Sequence, residues 1–318
     1  MIRTPPLRLM LRRPLCILSL IVSVAPTTAA QRLNAGILQA REVPVPDTTL
    51  AFRVGDRDLV AELRVPTGSG PHPLAIIIHG GCWVTKFADS RYMRPMAEAL
   101  RTNGIATWTI SYRRADEAGG GWPNTFLDVA AQAALVRQLA PRYHLDLDRV
   151  IASGHSAGAH LALWLAAQPK MPKSSGARPA KRVLKIAAVV AIDGPGDLVA
   201  ANPGISTICG GNVLEQLLAS TPDSAPERWR LASPSSFLPL GVPQALVRGG
   251  LDWRMVSLGS ASGSMPVYAE RARNAGDSTW VVMSDSTNHF TMLDPQQPAF
   301  AVLLTAYRDA LSAIRRRR

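Results

Sequence analysis

A serine between two glycines is the strongest chemical signal in this sequence. Ser156 is the centre of the GHSAG motif of residues 154–158. An apolar run at residues 150–153 precedes the motif and an apolar segment at residues 157–167 follows it, which predicts a tight turn between a strand and a buried helix. A serine hydroxyl becomes a useful nucleophile when such a turn exposes it beside a base. Ser156 is therefore the candidate nucleophile, and a glycine-rich turn with an incidental serine is the alternative.

A second glycine-rich motif, HGGCW at residues 79–83, directly follows an apolar run at residues 73–78. Glycines allow the backbone to turn N–H groups toward a negatively charged oxygen. The N–H groups of Gly81, Cys82 and Ala157 are the candidate donors to such an oxyanion. Losing one donor typically costs about 3–4 kcal/mol of transition-state stabilisation. The large side chains of the motif are predicted only to pack.

A serine nucleophile needs a general base, and elimination among the six histidines identifies one. His72, His79 and His144 precede the GHSAG motif in the chain. Two more lie on the predicted turn and its helix, where an imidazole cannot turn back to the serine hydroxyl. His289 remains, in a loop after the apolar run at residues 280–283. His289 is the candidate base, and a surface histidine without a catalytic role is the alternative.

A carboxylate should orient the imidazole and stabilise its charged form. Asp252 follows a predicted strand and lies between Ser156 and His289, which gives the chain order nucleophile, acid, base. Asp193 follows the preceding predicted strand and is the rival, because an acid one strand earlier can reach the same imidazole. Asp285 is a third candidate on the loop of the histidine itself.

Continuous apolar runs alternate with helical patterns through most of the chain. Such runs are typical of parallel strands that are covered on both faces. The alternation predicts an α/β fold with a mostly parallel central sheet and helices on both faces. Thr125 and Asp128 predict a capping box at the start of one helix. The predicted strands of this part cover residues 73–78, 105–112, 150–153, 185–192, 244–247 and 280–283.

A predicted hairpin and two predicted insertions accompany the alternating part without dividing it into domains. Residues 50–54 and 59–65 predict a β-hairpin ahead of the alternating part. Residues 173–181 and 198–240 are richer in Ser, Pro and Gly, and they predict short insertions at the surface. No boundary divides the core, so residues 31–318 are predicted to form a single domain.

The first thirty residues are predicted to be a secretory signal peptide. Arg12 and Arg13 precede an eleven-residue apolar run, and small residues follow as far as Ala30. The run is short for a bilayer span, and no later stretch reaches about 18 apolar residues, so no stable membrane span is expected after cleavage. The sequence therefore predicts an exported protein, either periplasmic or secreted. An uncleaved anchor and a twin-arginine signal are the alternatives.

The composition excludes several classes of protein. The hydrophobic content of 47% excludes a disordered chain. The formal net charge is +12, but eight arginines of residues 1–30 and 315–318 account for most of it, so no nucleic-acid partner is expected. No phosphate-loop, dinucleotide or metal-ligand spacing occurs, which predicts no metal and no cofactor. Cys82 and Cys209 either pair or remain free thiols.

The motifs together resemble the α/β-hydrolase superfamily, and within it esterase- and lipase-like proteins related to kynurenine formamidase. The resemblance extends over about residues 50–314, and it implies a triad of Ser156, Asp252 and His289 without a metal. The segments that carry it are HGGCW (79–83), SYRR (111–114) with GGGWP (119–123), DRV (148–150), GHSAGAHLALWLA (154–166), PERW (226–229) with ASP (232–234), and NHF (288–290).

The activity that the resemblance implies is hydrolysis of small-molecule carboxylic esters through an acyl-enzyme intermediate. An arylformamidase or another amidase is the second expectation, because the HGGCW motif fits it. A prolyl-peptidase-like enzyme is the third. A hydrolase fold used only for binding is the remaining alternative, and such proteins usually lack a triad residue.

Overall fold

An eight-stranded sheet is the central element of the computed structural model, which describes residues 33–54, 57–178, 184–250, 265–285 and 287–317. The signal peptide predicted at residues 1–30 lies outside the described residues, as does Asp252. The strands are β1 (Thr48–Val54), β2 (Arg57–Arg64), β3 (His72–Ile78), β4 (Ala106–Ile110), β5 (Leu145–His155), β6 (Ala188–Ile192), β7 (Gln244–Gly249) and β8 (Thr279–Ser284).

The sheet is mostly parallel, as predicted. Its strands lie in the order β1-β2-β4-β3-β5-β6-β7-β8. β1 and β2 form the predicted antiparallel hairpin, and β2 also pairs antiparallel with β4. All the remaining neighbours pair in parallel. The carboxyl ends of β3 to β8 therefore lie along one edge of the sheet, where the predicted site residues follow them.

Both faces of the sheet are covered, which explains the continuous apolar runs. Along β3, Leu74, Ile76 and Ile78 point into one hydrophobic cluster, whereas Ala75 and Ile77 point into the other. Successive side chains of a strand alternate between faces, so a strand that is buried on both faces must be apolar at every position.

Helices cover both faces of the sheet. They are α1 (Ala35–Gln39), α2 (Arg94–Thr102), α3 (Asn124–Tyr143), α4 (Ala157–Ala167), α5 (Leu198–Cys209), α6 (Val213–Leu218), α7 (Pro226–Ala232), α8 (Met265–Asn274) and α9 (Phe300–Arg316). The side chains of α2 and α9 pack in one cluster, and those of α3 and α4 pack in the other. Every residue of α4 is buried, as its uniformly apolar sequence predicts.

The capping box predicted at α3 is wrong. The helix begins at Asn124 without a side-chain cap. Thr125 Oγ1 instead donates to the Arg113 carbonyl oxygen, and the Asp128 carboxylate accepts from the Arg113 guanidinium at 2.8 Å. The Asp128 carboxylate was predicted to bind the backbone at the start of the helix, but the Arg113 guanidinium of a neighbouring loop binds it instead.

The insertion at residues 198–240 is more buried than its composition predicts. It contains α5, α6 and α7, and Trp229 is completely buried. Two buried side chains of α4 bind its backbone: Trp164 Nε1 donates to the Leu231 carbonyl oxygen at 3.1 Å, and His160 Nε2 lies 2.8 Å from that of Ala232. The segment thus belongs to the core on the α4 side of the sheet. Within the described ranges, no helix is long and apolar enough to cross a bilayer.

Candidate active site

Ser156 occupies a strained turn between β5 and α4. Its backbone has φ +57° and ψ −121°, a combination that residues with a side chain rarely adopt. The flanking glycines make the turn possible: a Cβ atom at Gly154 would lie 2.2 Å from the Gly158 carbonyl oxygen, and one at Gly158 would lie 2.1 Å from that of Ile78. The GHSAG motif therefore forms the strand–turn–helix geometry of a nucleophile elbow.

The HGGCW loop packs directly against this turn. A Cβ atom at Gly80 would lie 2.9 Å from Ser156 Cβ and 2.6 Å from the His155 carbonyl oxygen. Gly81 and Cys82 both have positive φ values, +111° and +52°. Neither residue donates its backbone N–H to a backbone acceptor among the described residues. The loop thus brings two of the predicted oxyanion donors beside the elbow.

The large side chains of this loop pack, as predicted. The His79 ring stacks on Tyr112 with centroids 4.4 Å apart, and Tyr112 Oη donates to the His79 carbonyl oxygen. Burial lowers the pKa of His79 to about 4, so this imidazole is neutral near pH 7. Trp83 is buried against the edge of His160. These contacts fix the shape of the loop.

A disulfide connects the loop to the insertion that follows β6. Cys82 and the last residue of α5, Cys209, form the bond, with Cα atoms 5.8 Å apart. The sequence left open whether the two cysteines pair, and the structure joins them. The loop that carries two candidate oxyanion donors is thereby tethered to a helix 127 residues later in the chain.

His289 lies in the loop after β8 and faces two side chains from other strands. Its ring centroid is 4.2 Å from that of His155. On the other side, His289 Nδ1 lies 3.5 Å from Asp193 Oδ2. This distance is slightly longer than a hydrogen bond, and catalytic hydrogen bonds are often long before substrate binds.

Asp193, the rival acid in the sequence, is held tightly at the end of β6. It is 2% exposed, and its two carboxylate oxygens accept from the Gly249 N–H at 3.1 and 3.2 Å. Burial raises the pKa of the Asp193 carboxyl, whereas the neighbouring His289 and the Gly249 N–H oppose this shift. Its backbone φ is +47°, a conformation that Asp tolerates better than most residues.

The predicted acid, Asp252, lies outside the described residues. Its role remains a prediction. Of the carboxylates in the described part of the chain, Asp193 pairs with His289 at the distance given above.

Two residues next to the elbow were not identified as site residues from the sequence. His155 Nε2 lies 2.8 Å from the His289 carbonyl oxygen, and its Nδ1 lies 2.9 Å from Tyr92 Oη. Tyr92 Oη in turn accepts from the Gly80 N–H at 2.6 Å. His155 was set aside because it cannot reach the serine hydroxyl, and nothing in the local pattern around Tyr92 indicated a partner in the elbow.

The described residues contain no group of three or more His, Cys, Asp or Glu side chains that could hold a metal ion. The groups that converge at this edge of the sheet are a serine, histidines, a carboxylate and backbone N–H groups. This is the set that acyl transfer by a serine nucleophile requires.

Several solved structures with the same fold are esterases. Esterase B of Lactobacillus rhamnosis is 17% identical, with 91% of this chain and 92% of that chain covered and a TM-score of 0.70. A truncated carbohydrate esterase from gut microbiota is 19% identical (84% and 98% covered, TM-score 0.66). The thermophilic esterase Est2 of the planctomycete Thermogutta terrifontis is 18% identical (83% and 91% covered, TM-score 0.62). At these identities the similarity shows the fold, which is the predicted α/β-hydrolase fold.

Comparison with curated protein sequences finds no match. The BD-FAE family model matches residues 63–261, a range that includes the HGGCW loop, the nucleophile elbow and Asp193. This match extends over more than half of the sequence, and the chain therefore belongs to the BD-FAE family.

Proposed function

We propose that this protein is a serine hydrolase that cleaves carboxylic esters of small molecules through an acyl-enzyme intermediate. The observation that carries the proposal is the strained Ser156 turn with the HGGCW loop packed against it. The esterases with the same fold support the reaction type.

In the acylation step, Ser156 Oγ attacks the ester carbonyl carbon and His289 takes the hydroxyl proton. The carbonyl electron pair moves onto oxygen, and the N–H groups of Gly81, Cys82 and Ala157 bind the resulting oxyanion. The tetrahedral intermediate then collapses. Its bond to the alcohol oxygen breaks, this oxygen receives the proton from His289, and the alcohol leaves.

In the deacylation step, water takes the place of the alcohol. His289 removes a proton from the water, whose oxygen attacks the carbonyl carbon of the acyl-enzyme. The same N–H groups stabilise the second oxyanion. Collapse breaks the bond to Ser156 Oγ, the proton returns from His289 to the serine, and the carboxylic acid leaves.

Two carboxylates are candidates for the acid of this triad. The sequence favours Asp252, by its position between Ser156 and His289. The 3.5 Å contact with His289 Nδ1 supports Asp193. Either carboxylate would hold the imidazole in the tautomer whose other nitrogen accepts the serine proton.

The test of this function is covalent labelling with a fluorophosphonate, followed by turnover of chromogenic esters of increasing acyl length. We expect labelling in the wild type and none in Ser156→Ala. His289→Ala should lose turnover by about 10³-fold or more, with little change in the midpoint of unfolding because His289 lies in a loop. Absence of labelling in a correctly folded wild type would contradict the proposal.

The resemblance of the HGGCW motif to that of kynurenine formamidase makes aryl formamides the second proposed substrate class. The same nucleophile, base and oxyanion donors would cleave a formamide, with an aryl amine as the leaving group. N-formylkynurenine assayed beside the ester series separates the two classes. A kcat/KM that is higher for the formamide than for every ester would favour the amidase.

We also propose that the chain is exported and that residues 1–30 are removed. The Cys82–Cys209 disulfide supports this, because such bonds persist mainly in oxidising compartments. Fractionation of expressing cells and N-terminal sequencing of the recovered protein test it. A mature protein that begins near residue 31 is expected, and an intact N terminus in the cytoplasmic fraction would contradict export.

A further inference from the structure

A chain of hydrogen bonds links the HGGCW loop to the backbone of His289. The Gly80 N–H lies 2.6 Å from Tyr92 Oη, which lies 2.9 Å from His155 Nδ1. His155 Nε2 lies 2.8 Å from the His289 carbonyl oxygen. The side chains of both intermediate residues are almost fully buried. These hydrogen bonds therefore run from the loop with the oxyanion donors, through the residue that precedes Ser156, to the loop with the base.

The direction of every hydrogen bond in this chain is fixed. A carbonyl oxygen only accepts, so His155 Nε2 must carry the proton that it shares with His289. Burial, together with the charge of His289, holds the pKa of His155 well below its ordinary value, and the imidazole stays neutral. Its Nδ1 therefore has no proton and accepts from the Tyr92 hydroxyl, which in turn accepts from the Gly80 N–H.

The hydroxyl at the centre of the chain keeps its proton. Burial raises the pKa of Tyr92 above its ordinary value. Each polar atom of this network is thus hydrogen-bonded, and a satisfied buried network specifies one arrangement of the segments that it joins.

We propose that Tyr92 and His155 are positioning residues that hold His289 and the oxyanion loop in register with Ser156. The inference rests on the proposed function. His155 holds the backbone of His289 at one end of the chain, and Tyr92 holds Gly80 at the other. A base and oxyanion donors that move independently of the nucleophile would lose the alignment that the transition state requires.

A neutral His155 also suits its contact with the base. The rings of His155 and His289 lie 4.2 Å apart, with an angle of 46° between their planes. When His289 takes the serine proton, it becomes a cation beside this ring. A second cation there would oppose the transfer, whereas a neutral ring that donates only to the backbone does not.

Another buried tyrosine provides a matched control. Tyr307 on α9 is fully buried, and its hydroxyl lies 2.6 Å from Ser153 Oγ. Like that of Tyr92, its buried hydroxyl is hydrogen-bonded to a side chain of β5. In the described part of the chain, its hydroxyl bonds neither to His289 nor to the HGGCW loop. Tyr307→Phe therefore measures what the loss of a buried hydroxyl does to the fold alone.

The experiment compares Tyr92→Phe with Tyr307→Phe in the full enzyme, with kcat, KM and the midpoint of thermal unfolding measured for both. Tyr92→Phe should lower kcat by about 10- to 100-fold while KM changes by less than about threefold, because misplacing reacting groups acts on the chemical step. Tyr307→Phe should lower the midpoint of unfolding to a similar extent and leave kcat within about twofold.

Two substitutions at His155 distinguish its hydrogen bond to the His289 carbonyl oxygen from its hydrogen bond to Tyr92. The amide nitrogen of Gln reaches the position of imidazole Nε2, so His155→Gln can still donate to the His289 carbonyl oxygen. The shorter amide of His155→Asn reaches only the Nδ1 position beside Tyr92. We expect His155→Gln to keep kcat within about fivefold of wild type and His155→Asn to lose at least as much as Tyr92→Phe.

Three results would overturn the inference. The first is Tyr92→Phe with a wild-type kcat, and the second is an equal loss of kcat in Tyr307→Phe. The third is a His155→Gln variant that folds and is as inactive as His155→Asn. If neither variant of His155 folds, the two tyrosine variants decide the question. Failure of the proposed function is distinct, because the wild type itself would then lack turnover and labelling.

Discussion

Asp193 reaches across the end of β7 to His289. Its carboxylate binds the Gly249 N–H at the last residue of β7, and one oxygen lies 3.5 Å from Nδ1 of the histidine in the loop after β8. The contact therefore joins the ends of three consecutive strands of the sheet. The contact links the candidate base to the parallel core instead of leaving it on a free loop.

This geometry predicts a large effect of Asp193→Asn on turnover. The amide oxygen can still accept from the Gly249 N–H, and Asn tolerates the positive φ, so the fold should persist. The amide cannot stabilise the histidine cation and favours the wrong tautomer, so kcat should fall by up to about 10⁴-fold. Asp252→Asn, measured on the same activated ester, is the comparison. A severe loss at Asp252 with a mild one at Asp193 would assign the acid to Asp252, as the chain order predicts.

The backbone at Ser156 is strained, so a substitution that relieves this strain should stabilise the protein. Ser156→Gly and Ser156→Ala should both lack turnover, but only glycine relieves the positive φ. The strain is of order 1–3 kcal/mol, and the greater freedom of glycine in the unfolded chain offsets about 0.4–1 kcal/mol of the gain. We therefore expect Ser156→Gly to unfold at a higher urea concentration than Ser156→Ala. The free energy of unfolding of the glycine variant should be larger by about 1 kcal/mol. Equal unfolding curves would show that the turn is not strained.

Removing the disulfide should destabilise the protein. The bond closes a long loop between Cys82 and Cys209, and loss of a native disulfide typically costs about 2–4 kcal/mol. The double variant Cys82→Ala/Cys209→Ala should unfold at lower urea concentration than the oxidised wild type. Addition of dithiothreitol should lower the stability of the wild type to that of the variant and leave the variant unchanged. A wild type that is indifferent to dithiothreitol would show that the thiols are free.

Acid should destabilise the protein through His160. Burial lowers the pKa of this imidazole from 6.5 to about 4, so the unfolded chain takes up the proton first as the pH falls. The stability contributed by the neutral buried ring is present above pH 6.5 and is lost as the pH falls toward about 4. For each pH unit between the two pKa values, the free energy of unfolding changes by about 1.4 kcal/mol. His160→Gln should therefore lose less free energy of unfolding than the wild type between pH 7 and pH 4.5, and parallel pH curves would contradict the shift.

The sequence alone predicted the features that a few neighbouring residues encode. The glycines of GHSAG and HGGCW permit backbone conformations that other residues resist, so the two motifs predicted their turns. Uniformly apolar runs predicted strands covered on both faces and the fully buried α4, since a strand or helix with no polar face has no side for water. Ser156 was selected as the candidate nucleophile by its motif, and His289 was selected as the candidate base by its position after a predicted strand.

Only the tertiary structure decided which distant groups meet. The contact of Asp193 with His289, the Cys82–Cys209 bond and the link from Tyr92 to His155 each join segments that are far apart in the chain. The capping box at Thr125 failed for the same reason, because Arg113 from another loop took both of its members. Local propensity is set by a residue and its neighbours. Partner choice among buried polar groups is set by the packing of the whole sheet, because most buried donors and acceptors pair with a group within a few ångströms.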